Sequence, residues 1–468
     1  MPKFCTKRLM RCRLSVLLLV GLCAAGLQDV ANVCAQDQVL PPNVVVENNI
    51  GGVTIDAHGV LEDVQRVVQE DLRNRREQLV ADVPLDLKDG TELRKISLRD
   101  LQKAVTAARA EGPNAILPES IRFMGGLQRI RYVFVYPEQK DIVLAGPAEA
   151  WRWDDLGNPV GVTTGKPVVR LEQFLAALRA AFDQDHDVIS CSIDPQPEGL
   201  QQMQEYLNQI RGDRFATRNP DRVARAIEER LGLQTITLTG LDPTTRLAGV
   251  LVAADYRMKR LAMGFEASPV KGMPSFLDMI RNPRATNMMP RWWIEDDYEA
   301  LLTDGEGLAW ELRGRGVKVL TEDELIADDG AREATGKVNP LAKKWADTMT
   351  ANYDKLSAHI AVFGDLRNCM DASVVSELIA SHKLHEKAGL DLEHLLNAEF
   401  ISLGQQPAPK FVPSQVSYRR TRNHLVLTAS GGVQIRSMQV ARRHERSDAM
   451  ATGREGAAKP AGAKWWWD

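Results

Sequence analysis

Residues 240–264, GLDPTTRLAGVLVAADYRMKRLAMG, constrain the fold more than any other stretch of the sequence. The pattern predicts a helix over residues 242–263, with Asp242 as its N-cap, Pro243 at the first helical position and Gly264 as a left-handed stop. One helical face carries the apolar residues Leu247, Val250, Leu251, Ala254, Met258 and Leu261. Further apolar residues lie beyond this face, so we expect other elements to enclose a central buried helix.

The same helix carries charged residues, which must pair or reach solvent. Asp255 and Lys259 are i, i+4 neighbours, so one interpretation is an intrahelical ion pair, with Arg257 and Arg260 on a wet edge. The other interpretation is a polar cluster at a cleft. In that case Asp255 is the candidate catalytic carboxylate, with Lys259 or Arg246 nearby.

The N-terminus predicts export. Five basic residues precede an apolar run from Leu14 to about Leu27, which is typical of a secretory signal peptide and short for a membrane span. Small residues at Val33-Cys34-Ala35 predict cleavage before Gln36, and an uncleaved anchor is the alternative. Cleavage leaves no further apolar stretch long enough to span a membrane.

The charge of the predicted mature chain argues against nucleic-acid binding. Residues 1–35 contain five of the 59 basic and one of the 62 acidic residues, so their removal leaves a formal charge of −7. Nucleic-acid-binding surfaces are strongly basic. We therefore expect an envelope polymer or protein as the partner.

Alternating strand-like and helix-like segments predict an α/β or α+β fold, with helices packed on a mixed sheet. We also expect a helix near Tyr298 and another at the capping-box pattern Thr321-x-x-Glu324. Segments rich in Gly and Pro suggest boundaries between regions. The predicted division is a signal peptide at 1–35, an N-terminal α/β lobe at 36–150, a central α/β lobe at 151–285, a helix-rich C-terminal lobe at 286–437 and a disordered tail at 438–468.

Familiar catalytic patterns are absent from the sequence. It has no G-x-S-x-G, G-x-G-x-x-G, HExxH or complete phosphate-loop motif, so we predict neither a cofactor nor a metal site. Two cysteines remain after the predicted cleavage, Cys191 and Cys369, each in an apolar context. They could form a disulfide or remain as buried thiols.

The best candidates for ligand binding are Arg291, Trp292 and Trp293. Adjacent side chains point in different directions on most backbones, so one of the two tryptophans should be exposed beside Arg291. An exposed indole ring could pack against a sugar ring.

Six segments together resemble an exported domain-of-unknown-function family of planctomycete bacteria. They are GGVTIDAHGVL, DIVLAGPAEAW, RLAGVLVAADYRMKRLAMG, PRWW, FGDLRNCMD and SGGVQI. The resemblance spans roughly residues 50–437 and implies an exported protein with one family domain. It implies no activity, cofactor or catalytic residue.

Two functions remain open from the sequence. The first is a non-catalytic exported protein that binds or organises a component of the cell envelope. The second is a hydrolase that acts on an envelope polymer, with Asp255 as its carboxylate, because hydrolases often assemble their sites from distant residues.

Overall fold

A computed structural model describes residues 50, 53–55, 59–63, 83–110, 112, 116–183, 187–210, 219–280, 288–326, 332–334, 336–401, 406–419, 425–427, 429–459 and 466–467. The predicted signal peptide lies outside the described residues. Residues 42–468 group into one compact unit.

The strands are short, apart from two long ones that pair with each other. In chain order they are β1 (Val53–Ile55), β2 (Leu61–Asp63), β3 (Thr91–Ser97), β4 (Tyr132–Tyr136), β5 (Asp141–Ala148), β6 (Trp151–Trp153), β7 (Pro159–Gly161), β8 (Ile189–Pro195), β9 (Leu233–Thr239), β10 (Met288–Tyr298), β11 (Leu301–Thr303), β12 (Ala309–Glu311), β13 (Gly314–Ile326), β14 (Arg332–Ala334), β15 (Phe411–Pro413), β16 (Ser417–Arg419), β17 (Leu425–Leu427), β18 (Ser430–Ile435), β19 (His444–Arg446) and β20 (Trp466–Trp467).

Thirteen α-helices lie within the described residues. They are α1 (Leu98–Ala110), α2 (Glu119–Arg122), α3 (Leu171–Asp183), α4 (Pro197–Gln209), α5 (Pro220–Leu231), α6 (Arg246–Met263), α7 (Phe276–Met279), α8 (Pro340–His359), α9 (Ala361–Ser381), α10 (Leu384–Ala388), α11 (Glu393–Leu396), α12 (Ser437–Arg442) and α13 (Ala449–Gly456). Short 3-10 turns occupy Leu85–Leu87, Met124–Gly126 and Pro137–Gln139.

The first large sheet has the spatial order β14-β13-β10-β18-β8-β9-β15. Its neighbouring strands are antiparallel, except for the parallel pair β10 and β18. Its strands come from both sides of the boundary predicted near residue 285. Together with the helices, this mixed sheet confirms the α+β fold class.

The second large sheet has the order β19-β11-β12-β4-β5-β3-β20. Here too one pair is parallel, β11 with β19, and the others are antiparallel. The chain passes from the first sheet to the second directly after β10 and returns in β13. The end of the β10–β13 pair therefore lies close to strands of both sheets.

Helix α6 is the predicted central helix, and all six residues of its apolar stripe are buried. Its predicted start at 242 is wrong, because the helix begins at Arg246. The Asp242 carboxylate instead accepts hydrogen bonds from the backbone N–H and hydroxyl of Thr244, which closes a turn before the helix. Thr245 is the N-cap. The predicted stop is confirmed, since Gly264 adopts a φ of 78°.

Two other predicted helices are wrong. Tyr298 ends strand β10, and Thr321 lies within strand β13. The two strands pair in register from Met288 opposite Leu325 to Asp297 opposite Gly316. This pairing satisfies the backbone groups over a long antiparallel ladder, which outweighs the local helix signals.

The segment predicted as a disordered tail contains the elements α12, β19, α13 and β20. Strand β19 pairs with β11, and Met450 on α13 is buried. The Tyr136 hydroxyl donates a hydrogen bond to the carbonyl of Arg454 at 2.7 Å. The composition of this segment is polar, but a few apolar anchors and a strand pairing hold it on the second sheet.

Candidate functional site

The first sheet has one apolar and one polar face. Successive residues of a strand point to opposite sides, so the strand register fixes which residues share a face. Trp293 lies beside Gly432, Gly432 beside Ser192 and Ser192 beside Thr237. This row therefore crosses four strands on a single face of the sheet.

Trp292 lies on the other face, in the interior of the protein. Its side chain has no exposed surface, and its ring packs edge-on against those of Phe276 and Trp345 at centroid distances of 5.0 and 5.3 Å. Helix α6 packs on this face, where it contacts β8 and β18. Trp292 is therefore a core residue and does not reach a ligand in this conformation.

Trp293 lies on the polar face and is half-buried. The guanidinium of Arg291 lies 5.4 Å from the centre of its ring, and its indole N–H donates to Glu295 Oε1 at 2.7 Å. Arg436 binds Glu295 through two nitrogens, at 2.9 and 3.0 Å. These contacts fix the orientation of the indole ring.

Hydroxyl groups continue the polar face beyond Trp293. The serines of β8 and the threonines of β9 alternate with apolar or more buried residues, and all five are half-buried or exposed: Ser190, Ser192, Thr235, Thr237 and Thr239. Gly432 separates the tryptophan from Ser192. A Cβ atom there would lie 2.2 Å from the carbonyl oxygen of Cys191, so the position requires glycine. We call this surface, formed by Arg291, Trp293, Gly432 and the five hydroxyl residues, the open sheet face.

Asp255 and Lys259 form the intrahelical ion pair, with 2.8 Å between Oδ2 and Nζ. Asp255 has no exposed surface, and the ammonium of Lys259 also donates to the carbonyl of Ile193 at 3.3 Å. Burial raises the pKa of Asp255, and the charge of Lys259 opposes this shift. The pair satisfies charges within the core, and the carboxylate does not reach solvent.

Arg246 lies apart from this pair, about 13 Å along the helix at 1.5 Å per residue. It bonds to Asp365 on α9 at 3.2 Å and lies 3.5 Å from Glu172 on α3. Burial and the neighbouring Arg246 lower the pKa of Arg170 to about 10. The structure therefore unites two of the three catalytic candidates and places the third in another buried cluster.

Both cysteines of the predicted mature chain are free thiols in the core. Burial raises the pKa of Cys191 and of Cys369 well above the ordinary value. Within the described part of the chain, no cluster of three or more acidic, histidine or cysteine residues is arranged to hold a metal ion. No described helix is long and apolar enough to cross a membrane.

The hydroxyl-bearing residues of the open sheet face are not among the candidates predicted from the sequence. Their signal was the period-two alternation in ISCSID and TITLT, which predicts strands with one hydroxyl-lined side. It did not predict that β8 and β9 share a sheet with Trp293. That neighbourhood depends on β18, which follows β10 by more than 130 residues in the chain and lies between β10 and β8.

One protein family of unknown function matches part of the chain. Residues 191–276 match the family described as Protein of unknown function (DUF1598). The chain thus contains a domain similar to DUF1598. The DUF1598 match begins in β8, includes β9 and all of α6, and ends at α7. No curated protein and no solved structure matches the chain.

Proposed function

We propose that this chain is an exported, non-catalytic protein that binds a polysaccharide of the cell envelope on the open sheet face. The N-terminal pattern of basic residues and an apolar run supports export. The position of Trp293 carries the binding part of the proposal. Its ring is half-buried, held in place by Glu295, and followed by a row of hydroxyl groups.

The chemistry of this face suits a sugar chain. An indole ring offers an apolar surface for the C–H groups of a pyranose, while serine and threonine hydroxyls both donate and accept hydrogen bonds. Arg291 adds a guanidinium over the ring, 5.4 Å from its centre. A face four strands wide accommodates an extended polymer better than a single small molecule.

The hydrolase alternative is less well supported by this geometry. Its named carboxylate, Asp255, lies in the core against Lys259 with no exposed surface. A general acid or nucleophile must come within hydrogen-bond reach of its substrate. We therefore expect no release of reducing ends when the purified protein is incubated with envelope polysaccharide.

A fluorescence titration tests the binding proposal. The purified protein is titrated with soluble oligosaccharides released from the purified cell envelope, and tryptophan emission is followed. We expect Trp293→Ala to weaken binding at least tenfold, since buried tryptophans often dominate binding energy. The matched control is Trp153→Ala, because Trp153 is also half-buried but lies on β6. Unchanged emission at saturation, or equal loss in both variants, would contradict the proposal.

Export is tested separately. Cell fractionation followed by N-terminal sequencing of the recovered protein should give a chain that begins at Gln36. Recovery of the intact N-terminus in the membrane fraction would favour the uncleaved anchor, and recovery in the cytoplasm would contradict export.

A further inference from the structure

A second polar surface lies where the two large sheets meet. It is a cleft of about 460 Å³, within the range of small-molecule sites. Residues before β4, at the ends of β10, β12 and β13, and on helices α8 and α9 line it. Five of its side chains are cationic: Arg129, Arg131, Lys166, Arg313 and Arg367.

Three carboxylates share the cleft with these cations, and they are Glu299, Glu311 and Asp354. The lining itself therefore has two more cations than carboxylates, while Asp371 and Glu445 pair with Arg129 and Arg313 from outside it. Four of the five cations are arginines, whose guanidinium groups suit carboxylate and phosphate oxygens.

Arg129 lines the cleft and is bound from behind by a buried carboxylate. Its guanidinium makes two parallel hydrogen bonds of 2.9 Å to Asp371, which is fully buried. The Tyr298 hydroxyl donates to the same carboxylate at 2.6 Å. The charge of Asp371 raises the pKa of Arg129 despite its burial. Arg129 is therefore fixed in place as a permanent cation.

Arg367 has a hydrogen-bond donor that its contacts within the protein leave unused. Its side chain is 5% exposed and donates through Nη1 to Asp354 at 2.9 Å, whereas its buried Nε has no hydrogen-bond partner. A Cβ atom at Gly316 would lie 3.1 Å from both Arg129 Nη2 and Arg367 Cγ. The glycine, at a φ of 83°, thus lets the two arginines approach the same point of the backbone.

We infer that this cleft binds an acidic sugar, with its carboxylate or phosphate group at the arginines and its hydroxyls at the carboxylates. Planar guanidinium groups pair with carboxylate and phosphate oxygens through two hydrogen bonds. Glu311 and Asp354 accept hydrogen bonds, which a sugar hydroxyl supplies. The site is separate from the open sheet face and does not depend on the proposed function.

Calorimetric titration of the full protein at low salt tests the inference. The probes are glucuronic acid, glucose 6-phosphate, inorganic phosphate and glucose. We expect at least one acidic sugar to bind at least tenfold more tightly than both glucose and inorganic phosphate. High salt should weaken this binding, because the rim cations are partly exposed. A preference for one acidic sugar would identify the anionic group.

The test variant is Arg131→Gln combined with Lys166→Gln. Both side chains are solvent-accessible and paired with carboxylates, so the protein should fold normally. Affinity for the acidic sugar should fall at least tenfold. The matched control is Lys343→Gln with Lys383→Gln, which removes two equally paired charges elsewhere.

Three results would overturn the inference. The first is that neither acidic sugar binds. The second is that glucose or inorganic phosphate binds as tightly as the better acidic sugar, which would leave the charge or the hydroxyl groups without a role. The third is that the control variant loses as much affinity as the test variant.

Discussion

The interior around α6 and the cleft between the two sheets both contain charged residues, but these residues are arranged differently. In the interior, Asp255 and Lys259 neutralise each other one helical turn apart, and Asp255 has no exposed surface. In the cleft, Arg129 and Arg367 come from segments more than 230 residues apart and line the same cavity. Charges that are close in sequence tend to pair locally, whereas a binding surface is assembled by the fold.

The largest expected effect concerns the interior pair. Asp255→Ala should lower the free energy of unfolding by about 3 to 5 kcal/mol, because it leaves Lys259 buried without its partner. Chemical denaturation measures this change. The double variant Asp255→Leu, Lys259→Met should recover most of the loss, since two apolar side chains of similar length need no pairing. A small loss in the single variant would show that Lys259 reaches water.

The adjacent tryptophans sharpen the comparison. Trp292→Ala should cost about 3 to 5 kcal/mol of unfolding free energy, as is usual for a large core side chain. Trp293→Ala should cost much less, about 1 kcal/mol, since half-buried surface positions contribute little. Denaturation of both variants checks the difference. Equal losses would place Trp293 in the core and remove it from the open sheet face.

A smaller effect separates the predicted and observed starts of α6. Thr245→Ala should cost about 1 kcal/mol, because the Thr245 hydroxyl accepts the hydrogen bond from the backbone N–H of Ala248. Asp242→Ala removes only a turn before the helix and should cost less. If denaturation showed the reverse order, Asp242 would be the true cap.

The smallest expected effect is the contribution of the half-buried His382 to the pH dependence of stability. Burial lowers the pKa of His382. The hydrogen bond to the carbonyl of Ala441 opposes this shift, whereas the nearby His444 and Lys387 add to it. The unfolded chain then binds the proton more tightly, so acidification through the ordinary histidine pKa of about 6.5 should destabilise the fold. The melting temperature should fall less between about pH 7.5 and about pH 5.5 in His382→Gln than in the wild type.

The exposed His359 gives the control for this pH dependence. His359→Gln removes a histidine side chain from an exposed position and is measured over the same pH range. The same reduction in both variants would assign the effect to the general loss of a histidine and not to the buried position of His382.

The sequence predicted local features whose cause is local. The apolar stripe and the glycine stop of α6, and the ion pair of Asp255 with Lys259, all follow from helical spacing. The opposite orientations of Trp292 and Trp293 follow from strand geometry. The predicted start of α6 was wrong because Asp242 and Thr245, three residues apart, both carry a side-chain oxygen that suits an N-cap.

Features that depend on contacts between distant segments could not be predicted from the sequence. Strand β10 was predicted as partly helical because its pairing partners, β13 and β18, are specified elsewhere in the chain. The cleft has no motif at all, since its cations lie between residues 129 and 367 without regular spacing. The residues after 437 looked unstructured because their few anchors bind strands of the second sheet.

The central claim is that ligands bind to the open sheet face and the cleft, and not to the charged residues of α6. One affinity measurement tests it directly, a titration of Trp293→Ala and Asp255→Asn with the same envelope oligosaccharides. The Asn variant keeps the shape of the buried side chain. We predict that Trp293→Ala loses at least tenfold in affinity while folded Asp255→Asn binds as the wild type does. Unchanged binding by Trp293→Ala together with lost binding by Asp255→Asn would contradict the account.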